Sequence, residues 1–457
     1  MSKTLLEAYA PNINVANSVY QRTHDGSKMS YNNKVATAVV LNNVNRILSE
    51  AFENSVGTQR ADMGSYKKFC MSVTNVVFPS LIAEDLVIVK PMTSHSGVVT
   101  YAKYTYGSNK GGITQGQLIA DPWSIAPRNE DNMRYTGAPV VETVSAGEVI
   151  PAWKPLDGSV TFIAEDGTET ELTVSGGKVT APADGRIRYL YDNVKIPQND
   201  LPTINVEMAN IPLVAKARRI AIYYSQIAAF QAKTDYGFDI GRDLAEKACA
   251  ELSFQINEEI IHFLATLGRK TENYSDACKF NKTVPLGLTK RDHYADFAEN
   301  IATAKNIVYQ RTQKFMPSYM LAAPDVLVIL QFLPGFKAAS LTNVAGPFMA
   351  GTIDGMKVFI SPTLDTGEWF LGINGNDLAT SVAVYAPYMP IVPTQLLGYS
   401  DGAMSQGFST MYDLKPLNEQ LIVGSKIVEE PITVIVNDPS TPETPDSDGE
   451  DGENGNP

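Results

Sequence analysis

The chain is poor in the side chains that do chemistry. It holds three cysteines and four histidines in 457 residues. Cys70, Cys249 and Cys278 are too few and too scattered for a disulfide framework or a zinc site, and read as reduced thiols in a cytosolic setting. His24, His95, His262 and His293 stand apart from one another, and His262, beside an apolar helical stripe, is expected to be partly buried. No HExxH, GxSxG or CxxC pattern occurs, so nothing marks a catalytic, metal or cofactor site. The acidic pairs Glu84-Asp85, Glu258-Glu259 and Glu429-Glu430 read as solvated helix faces or turns. Asn273-Tyr274-Ser275 and Asn281-Lys282-Thr283 match glycosylation acceptors, which carry no meaning without secretion. No apolar run approaches the length that spans a bilayer, and no signal peptide opens the chain. An excess of positive charge is also missing. The net charge of −13 argues against gripping nucleic acid by its phosphates.

What the chain does have is size and one long helix. So many residues exceed one ordinary core, and two or three domains are expected. From Asp239 to Gly268, Ile240, Leu244, Ala248, Leu252, Ile256, Ile260 and Leu264 recur every four residues. Ala245, Cys249, Phe263 and Leu267 fill in as the stripe drifts. Asp239 suits the N-cap, Gly268 suits a left-handed stop, and Arg269 and Lys270 suit the negative end of the dipole. About 28 residues at 1.5 Å each give a rod of roughly 40 Å.

The remaining segments arrange themselves around this rod. Residues 10–33 are rich in Asn, Ser, Gly and Pro and read as an irregular arm. Residues 34–56 read as an amphipathic helix with Val35, Val39, Val40, Val44, Ile47, Leu48 and Phe52 on its stripe. Residues 73–91 read as a helical turn leading into a buried strand. From Gly97 the pattern alternates through Tyr101, Tyr104 and Tyr106, as in a strand wet on both faces or a projecting two-stranded arm over residues 97–135. Its Gly-rich tip, Gly107-Ser108-Asn109-Lys110-Gly111-Gly112, fits neither phosphate-loop spacing. Residues 139–201 read as an inserted β module with turns at Asp157-Gly158, Asp166-Gly167, Gly176-Gly177 and Asp184-Gly185. A mixed α/β body follows, with one helix expected over Asp292–Thr312 and a hairpin at Asp354-Gly355. The last twenty residues carry seven acidic and no basic side chains. Such a tail cannot bury a core and is expected to be disordered.

Several stretches go beyond topology. Ile82-Ala83-Glu84-Asp85-Leu86-Val87-Ile88-Val89-Lys90-Pro91-Met92 followed by Ser96-Gly97, Val214-Ala215-Lys216-Ala217-Arg218, Asp235-Tyr236-Gly237-Phe238-Asp239, Glu251 to Ile260, and Val384-Tyr385-Ala386-Pro387-Tyr388 resemble segments of T-even-type major capsid proteins of tailed bacteriophages. Their order is that of the HK97-like capsid fold, and the resemblance covers roughly residues 75–138 and 202–425. It implies an α+β fold with an N-terminal arm (1–71), the start of a peripheral domain and an extended β-loop (72–138), and the inserted module (139–201). A return strand, spine helix and peripheral domain (202–320), an axial domain with closing strands (321–437) and the acidic tail (438–457) would follow. It also implies a structural protein of the virion, not an enzyme, needing no cofactor. Subunits would form hexamers that tile an icosahedral head shell, assembled in the host bacterial cytoplasm on a scaffold, with a vertex protein, portal and maturation protease as partners. The shell encloses DNA without reading its sequence. The family protease cuts after Leu/Ile-x-Glu, which matches Leu48-Ser49-Glu50 before Ala51 and also Ile82-Ala83-Glu84. Tyr101, Tyr104, Tyr106, Gly107, Gly111 and Gly112 would belong to the inter-subunit loop. The alternatives are a pentameric vertex protein of the same family, an encapsulin-type shell and, from another class, a soluble α/β enzyme.

Overall fold

In the computed structural model, residues 2–24, 26–53, 70–107, 115–116, 140–156, 158–190, 203–237, 239–312, 315–339, 346–375, 377–394 and 396–431 are described. The acidic tail, Gly111 and Gly112 lie outside them. The spine helix runs Ile240–Gly268, and the Asp239 side chain accepts from the Arg242 backbone N–H as its N-cap. Its C-terminal half carries Ile256, Ile260, Ile261, Leu264, Ala265 and Leu267, all buried in the main core. Ile261 and Ala265 were not on the expected stripe. They are buried because this half of the helix is covered on more than one side, so a single stripe understates its interior.

The helix ends differently from the expectation. Gly268 is helical, and the C-cap is Arg269 in right-handed geometry (φ −77°). Glycine is required at 268 for space. A Cβ there would fall inside the Phe370 ring, and a Cβ at Gly424 would meet the same ring. Phe370 therefore seats the end of the spine helix between two glycines. The freed end is closed by Asn273, whose Nδ2 donates to the carbonyls of Leu267 and Glu419. Asn273 is buried, so this sequon has no accessible amide. His262 is exposed, contrary to expectation, because the helix turns it away from both sheets.

Two sheets flank the spine. One has seven strands in the order Phe280–Asn281, Ile422–Val428, Glu368–Gly372, Tyr319–Ala322, Met356–Ile360, Phe348–Ile353 and Phe336–Ala338. The Asp354-Gly355 turn closes its hairpin with φ of 46° and 80°, the left-handed pair a two-residue hairpin needs. The other runs Ile88–Val89, Ala383–Pro393, Ala403–Pro416 and Lys216–Ser225, with Leu397–Gly398 also paired to Ala403–Pro416. The C-terminal part of the chain thus feeds both sheets, and residues 320 and 321 lie inside the central strand Tyr319–Ala322. Adjacent acids tie the spine to each sheet. Glu258 accepts from Ser361 (3.0 Å) and Thr363 beside the first sheet. Glu259 accepts from Arg218 (2.6 Å) and Tyr412 in the second. This pair is a two-sided clamp, not the solvated helix face expected of it.

Three local expectations need revision. Residues 10–23 are helical (Ala10–Thr23), not irregular, because burial of Ile13, Ala16 and Tyr20 outweighs the weak propensity of Asn and Ser. The helix expected over Asp292–Thr312 is two helices, Lys290–Ala295 and Phe297–Thr312, the first capped by Thr289. Residues 97–135 were expected to carry a two-stranded arm, and of these only 97–107 and 115–116 are described. Strand Ser96–Tyr106 pairs antiparallel along its length with Ile204–Val214, so the partner strand comes from beyond the inserted module.

Gly268→Ala should lower stability by about 1–3 kcal/mol, because overpacking against Phe370 outweighs the helix propensity of alanine. A denaturant midpoint checks this; a stabilised variant would contradict the seat.

Candidate assembly surfaces

Among the described residues no three His, Cys, Asp or Glu side chains gather to hold a metal ion. Cys70, Cys249 and Cys278 are buried and unbridged. Burial, then the nearby Glu246, pushes the Cys249 thiol up to about 11, which leaves it unreactive at neutral pH. His293 stacks on Phe280 and lies 2.7 Å from the Asn281 carbonyl. No described helix is long and apolar enough to cross a membrane. A cleft of about 2000 Å³ follows the N-terminal half of the spine, lined by Val73, Val77, Leu244, Phe254 and Phe348. His24 and Asp85 form part of its wall.

That polar stretch of wall is the seam between the N-terminal helices and the body. The His24 ring stacks on Tyr20 at 3.9 Å, and its Nε2 lies 3.4 Å from Asp85 Oδ2. Lys357 donates to Asp85 Oδ1 (2.6 Å), and Asn33 donates to Glu84 Oε2 (2.6 Å). Glu84-Asp85, expected to be solvated, instead occupies a short buried helix turn, Ala83–Leu86. Burial and then Asp85 push the Glu84 carboxyl up to about 8, against Asn33 and Lys357. Burial lowers the His24 pKa, opposed by Asp85 and by backbone hydrogen bonds. The second protease match sits here, with Ile82 and Ala83 buried.

One surface that folding leaves uncovered lies on the ribbon. Its root is buried through Val99 and Leu213 against Met92, Val384 and Leu417. Farther out, Ile204, Val206 and Met208 are 61%, 58% and 65% exposed, an apolar row at every second residue. Tyr106 pairs with Ile204, Tyr104 with Val206 and Tyr101 with Ala209. Tyr101 is half-buried. Gly107 ends the ribbon, donating its N–H to the Thr203 carbonyl at 2.8 Å, and Thr203 fills the space a Cβ would need. In the sequence this row shows only as alternation of Ile204, Val206 and Met208 with Asn205 and Glu207. Between the ribbon strands the module folds on its own core of Val160, Phe162, Val179, Ile187 and Tyr189. Its described residues form seven strands in two sheets. Glu50 and Ala51 lie within the helix Tyr31–Glu53.

Arm helices, a ribbon, a long spine and two flanking sheets make an α+β subunit that, among the described residues, turns rows of apolar side chains outward. The family model for the major capsid protein Gp23 matches residues 63–428. The chain belongs to this family of phage head-shell proteins. The major capsid protein of Vibrio phage KVP40 is 22% identical over 387 residues, 76% of this chain and 75% of that one. The structure from Mycobacterium phage Cain aligns over 76% of this chain and 90% of that chain at 10% identity and a TM-score of 0.38. The mature capsid of bacteriophage PhiM1 aligns over 65% and 83% at 10% identity and a TM-score of 0.34.

The seam carries a pH dependence. With Glu84 raised from 4.5 to about 8, the docked arm binds more protons than the undocked one, so docking weakens as pH rises through that interval. With His24 lowered, docking also weakens as pH falls below 6.5. Between pH 6.5 and 8 only the Glu84 effect operates. Hydrogen-exchange protection of helix Ala10–Thr23 should fall there, by at most about tenfold per pH unit. Glu84→Gln should flatten the dependence; an unchanged slope would contradict this assignment.

Proposed function

We propose that copies of this chain form hexamers that tile an icosahedral phage head, with the ribbon of each copy lying across its neighbour. The observation that carries this is the apolar row of Ile204, Val206 and Met208, left in water by the isolated subunit. Such alternating apolar side chains on a two-stranded projection gain little from folding and much from a partner. A ring of identical subunits closes through heterologous contacts, in which one surface meets a different one. The acidic character of the chain keeps it from adhering to the DNA that it encloses. A scaffold, portal, vertex protein and maturation protease are the partners that the family reading supplies. A pentameric vertex role differs only in ring number, which particle stoichiometry decides. Val206→Glu should leave thermal unfolding of the subunit within about 0.5 kcal/mol, as for other exposed positions. Assembly followed by sedimentation should be lost. Normal shells from this variant would remove the ribbon from the contact.

Processing after Glu50 is the second element of this reading. Leu48 is buried against Met389 and Val392, and Asn43 donates to the Met92 and Tyr388 carbonyls, so the arm helix is seated firmly. A protease therefore needs the end of this helix to open before it can cut, which places cleavage at a stage when the arm has loosened. Mass spectrometry of subunits from mature particles should give an N-terminus at Ala51; one at Met1 or Ser2 rules this site out.

A further inference from the structure

The edge strand Phe280–Asn281 of the seven-stranded sheet leads into a turn whose side chains folding does not cover. Pro285 to Leu288 form a tight turn. The Leu288 N–H donates to the Pro285 carbonyl at 3.2 Å, and Gly287 sits at φ 95°, the left-handed position that such a turn gives to glycine. Leu286 stands at the corner of this turn, fully exposed, and Leu288 is 49% exposed. A fixed turn therefore holds two leucines in water. Two exposed cations, Lys290 and Arg291, follow directly. Among the described residues neither pairs with a carboxylate, whereas Lys279 meets Asp276 at 2.8 Å and Lys282 meets Glu429 at 3.8 Å.

The chain returns to this place at its other end. Strand Ile422–Val428 pairs in parallel with Phe280–Asn281, Val428 opposite Asn281. Beyond the pair, Asn281 holds Glu430 at both ends. Its Oδ1 accepts the Glu430 N–H at 3.2 Å, and its Nδ2 donates to the Glu430 carbonyl at 3.0 Å. At this clasp the two stretches run in the same direction. One continues five residues to Leu286, and the other passes Pro431 into residues 432–457, which lie outside the described ones. That segment opens with Ile432-Thr433-Val434-Ile435-Val436, all β-branched and uncharged, and then carries seven acidic and no basic side chains. An uncharged β-branched run left in water is an aggregation hazard and gains from a cover. Five extended residues reach about 16 Å at 3.3 Å each, the longest span from Asn281 to Leu286.

We propose that the Leu286–Leu288 turn, with Lys290 and Arg291, is the docking surface for the C-terminal segment of the same chain. Residues 432–436 cover the two leucines, and the acidic residues after them lie against the two cations. The match is one of character on both counts, apolar to apolar and negative to positive. The acidic part needs no core for this, since it acts by attraction across a solvated surface. A tether of a few residues from the clasp gives this segment an effective concentration in the millimolar range, which favours it over the tail of a second copy. The strap then shields an apolar turn that a free subunit would present to other molecules. The family match ends at residue 428, so the strap lies beyond what that match describes, and it does not rest on the ribbon contact.

The test uses the full chain at low protein concentration. Because the native cysteines are buried, a Leu286→Cys, Ile435→Cys double variant reports on the contact without interference. Under mild oxidation it should form a disulfide within one chain, read as a linked peptide pair in monomeric protein. A Tyr223→Cys, Ile435→Cys variant, with its first cysteine on the other sheet, should give none. Hydrogen exchange adds a second readout. Amides of residues 286–290 should exchange roughly tenfold more slowly in the full chain than in a chain ending at Pro431. Charge reversal by Lys290→Glu with Arg291→Glu should lower that protection. Equal exchange in the two chains, with no linked pair, overturns the proposal. A disulfide found only between two chains, and growing with protein concentration, overturns the same-chain assignment and gives the surface to a neighbour's tail. None of these readouts requires assembly, so failure of the ribbon reading would leave them unchanged.

Discussion

The structure depends on the burial of one end of one helix. From Ile256 to Gly268 the spine is buried against two sheets, and Phe370 seats its last turn against Gly268 and Gly424. Glu258 and Glu259 hold it to a sheet on either side. The N-terminal half is different. It borders an open cleft and is approached by a helix with no buried residue. The same rod is therefore a core element at one end and a support for outward surfaces at the other. A shell subunit needs this division, because its body must stay rigid while its edges wait for neighbours.

The division also explains where polar groups are buried. A body held together by apolar packing alone would not need Glu84, Asp85, His24 and Lys357 at the arm seam. Burying charged groups costs free energy unless they are paired. At this seam three buried polar atoms, His24 Nε2, Glu84 Oε1 and Asp85 Oδ2, make no hydrogen bond. A seam of this kind is weaker than an apolar one of the same area and is sensitive to protonation.

Much of the fold was legible because it rests on periodicity. The spine helix, its Asp239 cap and the Asp354-Gly355 hairpin all follow from local spacing. What was not legible depends on distant partners. Gly268 looked like a left-handed cap because the sequence does not say that Phe370 sits against it. Glu84-Asp85 and Glu258-Glu259 looked solvated because His24, Lys357, Arg218 and Ser361 lie far away in the chain. The pairing of the ribbon was not legible because its second strand follows the whole inserted module. Exposure was the hardest to read: Ile204, Val206, Met208, Ile227 and Phe230 are apolar enough for a core, and only the assembled topology leaves them outside.

Electron microscopy of the purified full-length chain, allowed to assemble without other phage proteins, tests the central claim most directly. Hexameric rings, sheets or closed shells in which the ribbon of one copy crosses the next are predicted. A stable monomer with its ribbon folded back over its own spine, and apolar rows covered within one chain, would contradict a shell-building role.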